Sequence, residues 1–118
     1  MRSINLLESV PKVVRDISAR TANKQSNRQL ASKFGFEYFD GSRRQGYGGY
    51  VYDGRWVAVA RRIVEHFKLK PGDRVLDIGC AKGFLVCDLM TEFPDLEVIG
   101  MDVSSYAHEH CHPGTEQN

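Results

Sequence analysis

The sequence predicts an α/β fold organised around one parallel strand–helix–strand unit. A short apolar run over residues 74–78 leads into a tight turn with glycines at positions 79 and 83. A helical pattern starts at Phe84, and a second apolar run over residues 96–101 is followed by Asp102. Because a helical crossover of this length joins parallel strands through a right-handed connection, the two runs are predicted to be neighbours in one sheet.

Length and composition predict one soluble globular unit. The chain has 118 residues, 42% of them hydrophobic and 26% charged, and a formal net charge of +1. This charge gives no reason to expect a nucleic-acid partner, and no apolar run reaches the length of a membrane span. The three cysteines, Cys80, Cys87 and Cys111, form no closely spaced pair. Reduced thiols and a cytoplasmic location are therefore predicted.

The first third of the chain carries helical patterns. A small apolar cluster broken by Pro11 predicts a short helix or turn over residues 1–14, and a polar pattern predicts a helix from Asp16 to residue 34, closed by Gly35. The second stretch is basic at positions 15, 20, 24, 28 and 33. A solvated helix face and a nucleic-acid patch both fit, and we favour the first because no binding motif or interleaved aromatic residue accompanies the charges.

Residues 36–56, here called the aromatic–glycine segment, hold four of the five tyrosines and five of the eleven glycines. So many glycines predict a loop without helix. Aromatic rings between glycines provide rigid contact area with polar tips. Two interpretations stay open, a packed irregular linker and a lid over a ligand.

Further signals lead from this segment into the sheet. Asp53 is predicted to cap a helix over residues 55–67, in which apolar residues recur at steps of three and four. A Pro-Gly-Asp turn follows at residues 71–73. The strand over residues 74–78 is predicted to be buried, and a helix over residues 84–90 is predicted to face the sheet. The side chains expected at that contact are Leu85, Leu89 and Met90.

The glycine turn does not match the phosphate-binding loops. Gly83 is followed by Phe84 and not by the Lys-Ser/Thr of a P-loop, and Ala81 stands where a dinucleotide fingerprint has its second glycine. Asp77, two residues before the turn, would repel a phosphate by an amount on the order of a few kcal/mol. A nucleotide phosphate is therefore not the expected ligand.

A ligand with a positive centre and no phosphate fits these residues. Asp77 would attract an ammonium or sulfonium, and Gly79 and Gly83 would let the backbone approach the ligand. Asp102, at the end of the second strand, can accept both hydroxyls of a ribose, and Val103 could pack on an adenine. S-adenosylmethionine has each of these chemical features.

Residues 75–83, Val-Leu-Asp-Ile-Gly-Cys-Ala-Lys-Gly, resemble motif I of the class I S-adenosylmethionine-dependent methyltransferases, and residues 100–104 resemble their motif II. The aromatic–glycine segment is similar to one preceding the fold in a bacterial-type subgroup. The resemblance implies a Rossmann-like, seven-stranded sheet and methyl transfer to an oxygen, nitrogen or carbon nucleophile. It implies a cofactor site that consists of Asp77, Gly79, Cys80, Ala81, Gly83, Asp102 and Val103, with Tyr47, Tyr50 and Arg55 closing it or meeting the ligand carboxylate.

The resemblance covers only the first part of that fold. We therefore expect an incomplete Rossmann-like methyltransferase domain over residues 54–107, preceded by a helical and lid-like region over residues 1–53 and followed by a polar, disordered tail over residues 108–118. Little turnover is expected, no catalytic residue is identified, and the acceptor is expected to be a small molecule or sugar. The alternative is a non-catalytic binding or interaction module that retains the adenosyl-binding loop and self-associates through the unpaired edge of its first strand.

The tail contains a cluster of metal-ligand types, namely His108, His110, Cys111 and His112. If the tail is helical, the first and last of these lie one turn apart and could share a zinc ion. The other interpretation is that these are polar residues at the start of the next helix or on a frayed end. We favour it, with no metal bound, because no second ligand pair occurs upstream at zinc-finger spacing.

Overall fold

The computed structural model describes residues 3–14, 17–21 and 23–115. Two parallel strands and six helices make up the regular elements of this part of the chain. In chain order they are α1 (Ile17–Thr21), α2 (Lys24–Ala31), α3 (Phe36–Phe39), α4 (Val57–Phe67), β1 (Arg74–Ile78), α5 (Phe84–Glu92), β2 (Glu97–Met101) and α6 (Ser105–Glu109), followed by a 3-10 turn at Pro113–Thr115. No helix among the described residues combines the length and apolar character needed to cross a membrane.

The predicted strand–helix–strand unit is confirmed. β1 and β2 pair in parallel, with Val75 opposite Val98 and Asp77 opposite Gly100, and α5 connects them. The Pro-Gly-Asp turn before β1 is present as well, and the Gly72 amide donates a hydrogen bond to the carbonyl of Asp95. Because the strands are parallel and in register, the residues at their carboxyl ends meet at one edge of the sheet.

One face of the sheet carries the core. α5 packs on the sheet and α4 packs on α5. Leu89, predicted to face the sheet, is 1% exposed, and Leu85 and Met90 pack partly buried against the same cluster. Burial of a leucine to this extent contributes about 1.5–3 kcal/mol to folding. The buried members of the core cluster are Ala60, Val86, Leu89, Leu96 and Val98.

The opposite face of the sheet is open, so the prediction of a buried strand was wrong. Side chains alternate along β1, and those opposite the core are exposed: Leu76 is 54% exposed and Ile78 is 79% exposed. In β2 the apolar partners of this face, Ile99 and Met101, are exposed too. An apolar run predicts a strand, but burial of both its faces depends on the elements that pack there.

The single helix predicted up to residue 34 is interrupted, and Gly35 does not close it. Asn23 adopts a left-handed conformation (φ 60°) between α1 and α2, and α2 ends at Ala31. Phe34 takes the positive φ of 48° that was expected of the glycine. Gly35 is instead the extended residue before α3. The predicted first residue, Asp16, lies outside the described residues.

The prediction that the aromatic–glycine segment has no helix was also wrong, since α3 occupies its first four residues. The rest is irregular and folds back on α3, where the Tyr47 amide donates to the Tyr38 carbonyl at 2.8 Å. A side chain at Gly46 would overlap that carbonyl oxygen, so a glycine is required for the close approach of the two backbones.

α4 begins two residues later than predicted and without the predicted cap. Its N-cap residue is Trp56, which makes no side-chain capping hydrogen bond. Asp53 instead accepts hydrogen bonds from the amide and guanidinium of Arg55. The carboxylate therefore closes a local turn ahead of the helix.

His112 and Thr115, which were expected to belong to a disordered tail, contact the loop after β1. The His112 amide donates to the Lys82 carbonyl at 2.9 Å, and Thr115 lies beside Gly83. Residues 116–118 of the predicted tail lie outside the described residues. The predicted domain boundaries stay predictions.

Candidate ligand-binding site at the carboxyl end of the sheet

The loop at residues 79–83 is tied to the end of β2. The amides of Gly79 and Cys80 both donate to the Met101 carbonyl, at 2.7 and 3.1 Å. Gly79, Ala81 and Gly83 have φ values of 83°, 53° and 74°. This left-handed conformation suits glycine but costs Ala81 roughly 1–2 kcal/mol, so contacts around the loop must hold it in place.

Asp102 supplies such a contact. One carboxylate oxygen accepts a hydrogen bond from the Ala81 amide at 2.8 Å, and the other accepts from the Ser104 amide at 2.8 Å. The Ser104 hydroxyl in turn accepts from the Ala107 amide and caps α6. The acid predicted to bind a ribose therefore also fixes the loop and the start of α6.

Asp77 lies half-buried across from Gly100. Burial, followed by the negative charge of Asp102, raises the pKa of its carboxyl above the ordinary value. No hydrogen bond from another described residue reaches this carboxylate. A carboxylate that is desolvated and close to a second acid is stabilised by a positive group, so this end of the sheet favours a cation.

Cys80 projects toward β2. A side chain at Gly100 would come within 2.8 Å of its Sγ, so the glycine makes room for the thiol. Burial, then the charges of Asp77 and Asp102, raise the pKa of Cys80. The cysteine is therefore a neutral thiol that packs in the loop, since thiolate formation requires a positive surrounding.

The two predicted tyrosines of the aromatic–glycine segment contact each other, and Tyr50 also contacts the loop through its carbonyl, which accepts a hydrogen bond from Lys82 at 3.1 Å. Burial, followed by Tyr47 and Asp77, raises the pKa of Tyr50, and Arg55 opposes this effect. Burial, followed by Tyr38 and then Asp102, raises the pKa of Tyr47. Their rings lie 4.5 Å apart between centroids. The negative charges of Asp77 and Asp102 thus contribute to the raised pKa values of Tyr50 and Tyr47, respectively.

Arg55 already has a partner. Its guanidinium contacts the Asp53 carboxylate at 2.6 Å, and the hydrogen bond to Asp53 raises the pKa of Arg55. Both side chains are well exposed to solvent. A pair of this kind is worth about 0–1 kcal/mol, so it leaves the guanidinium available to a ligand carboxylate at little cost.

A groove of about 720 Å³ runs beside the loop and along β2. It is lined by five predicted residues, Cys80, Ala81, Gly83, Asp102 and Val103. The other five predicted residues are not among its lining residues, namely Asp77, Gly79, Tyr47, Tyr50 and Arg55. The predicted site residues thus fall into two groups, those that line the groove and those outside it, and the loop contributes residues to both groups.

The sequence interpretation missed a polar network beneath the tyrosines. Lys82, in the middle of the loop, is 8% exposed and donates to both oxygens of Asp40 at 2.9 and 2.6 Å. Asp40 also accepts hydrogen bonds from the Tyr50 amide and the Tyr106 hydroxyl. A lysine flanked by small residues in a glycine loop is a weak signal for burial, and nothing in the sequence pairs it with Asp40, 42 positions upstream.

A buried acid was missed as well. Asp88 on α5 is 2% exposed and accepts a hydrogen bond from the Tyr52 hydroxyl at 2.5 Å. Its other oxygen is buried without a hydrogen-bond partner among the described residues. Burial raises the pKa of Asp88, and the hydrogen bond from Tyr52 opposes that shift. Asp88 stands in an otherwise apolar helix pattern, which is the signal in the sequence.

The histidine–cysteine cluster is dispersed. The His110 ring stacks on Tyr106 at 4.0 Å between centroids, whereas the His112 ring contacts Tyr52 at 4.6 Å. α6 ends at Glu109, so His108 and His112 do not lie one turn apart on one helix. Within residues 3–14, 17–21 and 23–115, no three acidic, histidine or cysteine side chains come together as a metal-binding group.

Comparison with known proteins identifies two partial relatives, and both are methyltransferases. Over 61 residues, or 52% of this chain, the sequence is 34% identical to ribosomal RNA small subunit methyltransferase C of Stutzerimonas stutzeri. Over 52 residues, or 43% of this chain, it is 38% identical to demethylmenaquinone methyltransferase of Symbiobacterium thermophilum. The matches span 18% and 21% of the lengths of those proteins.

No protein-family model matches the chain, and no solved structure matches it. The similarity to two methyltransferases supports a methyltransferase-like function. The described fold, a mixed α/β arrangement with a two-stranded parallel sheet, is compatible with part of a Rossmann-like unit.

Proposed function

We propose that this chain contains the cofactor-binding part of an S-adenosylmethionine-dependent methyltransferase with a Rossmann-like fold. The observation that carries the proposal is the position of two acids, Asp77 and Asp102, at the carboxyl ends of neighbouring parallel strands on either side of a glycine loop. In α/β folds, ligands bind at this edge of the sheet. The similarity to methyltransferases supports the same conclusion.

The residues at this edge fit the cofactor. Asp77 is a desolvated carboxylate suited to the methionine ammonium, and Gly79 has open space where a side chain would stand. Asp102 uses one acceptor position on each oxygen, and a carboxylate oxygen can accept a second hydrogen bond, so both oxygens stay available to ribose hydroxyls. When bound, S-adenosylmethionine supplies an activated methyl group on a sulfonium.

Gly83 and Val103, two of the proposed cofactor residues, differ in how far they are open to a ligand. Thr115 occupies the space beside Gly83, which is the N-cap residue of α5. The close approach of the ligand to the protein backbone is therefore proposed at Gly79. Val103 is 89% exposed at the end of β2 and lines the groove. Such an exposed valine gains from contact with a flat apolar group, as an adenine would provide.

A small molecule or a sugar is proposed as methyl acceptor, and no nucleic acid is expected because the net charge is only +1. The two relatives are named for different acceptors, ribosomal RNA and demethylmenaquinone. A screen of acceptor classes with labelled cofactor tests this part separately from cofactor binding. Transfer of label to RNA in preference to small molecules would contradict it.

Cofactor binding is tested by equilibrium dialysis of the full chain against labelled S-adenosylmethionine, with ATP and NAD as phosphate-bearing competitors. Binding should be displaced by S-adenosylhomocysteine and not by either competitor. Asp77→Asn and Asp102→Ala should each weaken it at least about tenfold, the loss of one hydrogen bond to a charged group. Asp95→Asn, an exposed acid before the amino end of β2, is the matched control. Absence of binding, or displacement by ATP, would contradict the proposal.

A second candidate is a non-catalytic module that self-associates. The exposed apolar face of the sheet favours it, and no described strand pairs with the outer edge of β1. This candidate predicts concentration-dependent dimers in light scattering that Ile78→Lys abolishes. Val51→Lys, an equally exposed apolar position in the aromatic–glycine segment, is the control. A monomer at all concentrations would exclude it.

We also propose a reducing, cytoplasmic location, on the grounds that all three cysteines are unpaired. Titration of the freshly purified, unreduced protein should find three free thiols. A disulfide-linked species in material taken directly from cells would contradict this location.

A further inference from the structure

Lys82, in the loop at residues 79–83, forms a partly buried ion pair with Asp40. Lys82 and Asp40 are in contact at 2.6 Å, and their side chains are 10% and 22% exposed. The lysine nitrogen also donates to the Tyr50 carbonyl at 3.1 Å. An ammonium has three donors, and with two Asp40 oxygens and this carbonyl all three are used. All donors of the Lys82 ammonium therefore bind acceptors within the protein, and none is left for a ligand.

Asp40 connects three separate parts of the chain. In addition to Lys82 it accepts hydrogen bonds from the Tyr50 amide at 3.0 Å and from the Tyr106 hydroxyl at 2.6 Å. Lys82 belongs to the loop after β1, Tyr50 to the aromatic–glycine segment and Tyr106 to α6. Burial alone would raise the pKa of Asp40, but these donors hold it below its usual value, so the carboxylate is charged at neutral pH.

The residues before and after Lys82 in the chain are also held by contacts. The Tyr50 ring stacks on Phe84, two residues after Lys82, at 4.6 Å between centroids and 13° between planes. On the other side of Lys82, the Ala81 amide is held by Asp102. A displacement of Lys82 would therefore move both the amide that meets Asp102 and the surface on which Tyr50 rests.

We propose that Asp40 is a positioning residue for the ligand site, which acts through Lys82 to hold the loop and Tyr50 in one arrangement. The expected effect of Asp40 on ligand affinity rests on the proposed function. Its expected effect on the order of the loop and Tyr50 does not, since the ion pair is present without a ligand. One experiment with two arms tests these two effects separately.

The first arm measures amide hydrogen exchange of the full chain without ligand. In each variant, the exchange rate is compared at amides in the partner segment, which does not carry the substitution. Lys82→Met should speed exchange of the Tyr50 amide, and Tyr106→Phe or Asp40→Asn should speed exchange of the Cys80 and Ala81 amides, each about tenfold or more. The control is Glu92→Gln, which removes the more exposed ion pair with Arg61 and should change neither region. Faster exchange confined to the mutated segment would overturn the inference.

The second arm measures the affinity for S-adenosylhomocysteine in the same variants. Asp40→Asn and Lys82→Met should weaken binding about tenfold, and the double variant should lose little more than either single one, because both act through one contact. Unchanged affinity in variants with faster exchange would overturn a positioning role. If the wild-type chain binds no S-adenosylhomocysteine, the proposed function fails while the exchange arm still decides the coupling.

Asp40→Asn leaves a buried lysine without its counter-charge and could prevent folding. The double variant Asp40→Asn/Lys82→Met removes both charges with similar shapes, and Tyr106→Phe removes one hydrogen bond only. These two variants keep both arms measurable.

Discussion

The carboxylate of Asp102 accepts a hydrogen bond from the Ala81 amide at 2.8 Å, so a residue at the end of β2 holds the loop that follows β1. The loop needs this support because Ala81 has a left-handed backbone conformation that is unfavourable for a residue with a side chain. Its anchor and the proposed ribose acceptor are the same carboxylate. Loop geometry and ligand affinity should consequently change together.

Asp102→Ala should lower the free energy of unfolding by about 2 kcal/mol, since the Ala81 and Ser104 amides lose a charged acceptor. Urea unfolding at neutral pH measures this. Asp95→Asn, whose carboxylate is exposed, serves as the control and should change stability by less than about 0.5 kcal/mol. Equal stability of the two variants would mean that Asp102 does not anchor the loop.

Asp77→Asn should raise stability at neutral pH and flatten its pH dependence. The pKa of Asp77 in the folded protein is raised above 3.8 by burial and by Asp102. Between 3.8 and this raised value the folded state binds more protons than the unfolded state, so wild-type stability falls as pH rises through that window. In urea unfolding from pH 3.5 to 7, the free energy of unfolding of the variant should increase relative to that of the wild type as the pH rises. A variant less stable than the wild type at pH 7 would contradict this assignment.

Tyr52→Phe should destabilise the protein by about 1–3 kcal/mol, because Asp88 would lose its hydrogen-bond donor in a buried site. The same hydrogen bond, followed by burial, raises the pKa of Tyr52 to about 12. Thermal unfolding measures the loss. The control is the same substitution in an Asp88→Asn background, where it should cost less because no charge is left unpaired. An equal cost in both backgrounds would assign the effect to packing of the ring.

Gly46→Ala should destabilise the fold by about 1–3 kcal/mol, since a methyl group would overlap the Tyr38 carbonyl and separate the aromatic–glycine segment from α3. Gly35→Ala is the matched control, because its nearest neighbour would lie at 3.7 Å, an ordinary contact distance. Urea unfolding of both variants compares them. Similar stabilities would show that the segment shifts at no cost.

Local sequence patterns that favour a single type of secondary structure predicted the elements of the fold. The two apolar runs were confirmed as β1 and β2, the glycine turn as the loop between β1 and α5, and the helical pattern starting at Phe84 as α5. The parallel pairing followed from the length of the crossover. Predictions that depended on one terminal residue failed. Phe34 took the left-handed conformation expected of Gly35, because a positive φ costs a few kcal/mol at most and tertiary contacts can offset it.

Tertiary structure decided how the site is held together. Asp40 and Lys82 meet across 42 positions of sequence, and Tyr52 meets Asp88 across 36. Neither contact leaves a periodic pattern, because a hydrogen bond between distant residues depends on the path of the whole chain.

The sequence by itself determined that one acid lies near the end of the first parallel strand and that another follows the second, with a glycine loop after the first strand, since strand direction and loop conformation are set by short-range sterics and crossover length. Only the tertiary structure decided that the loop lysine is paired with Asp40 and that Tyr50 lies beside the loop. It also decided that one face of the sheet stays open, because burial depends on the elements that pack against a strand and not on the strand alone.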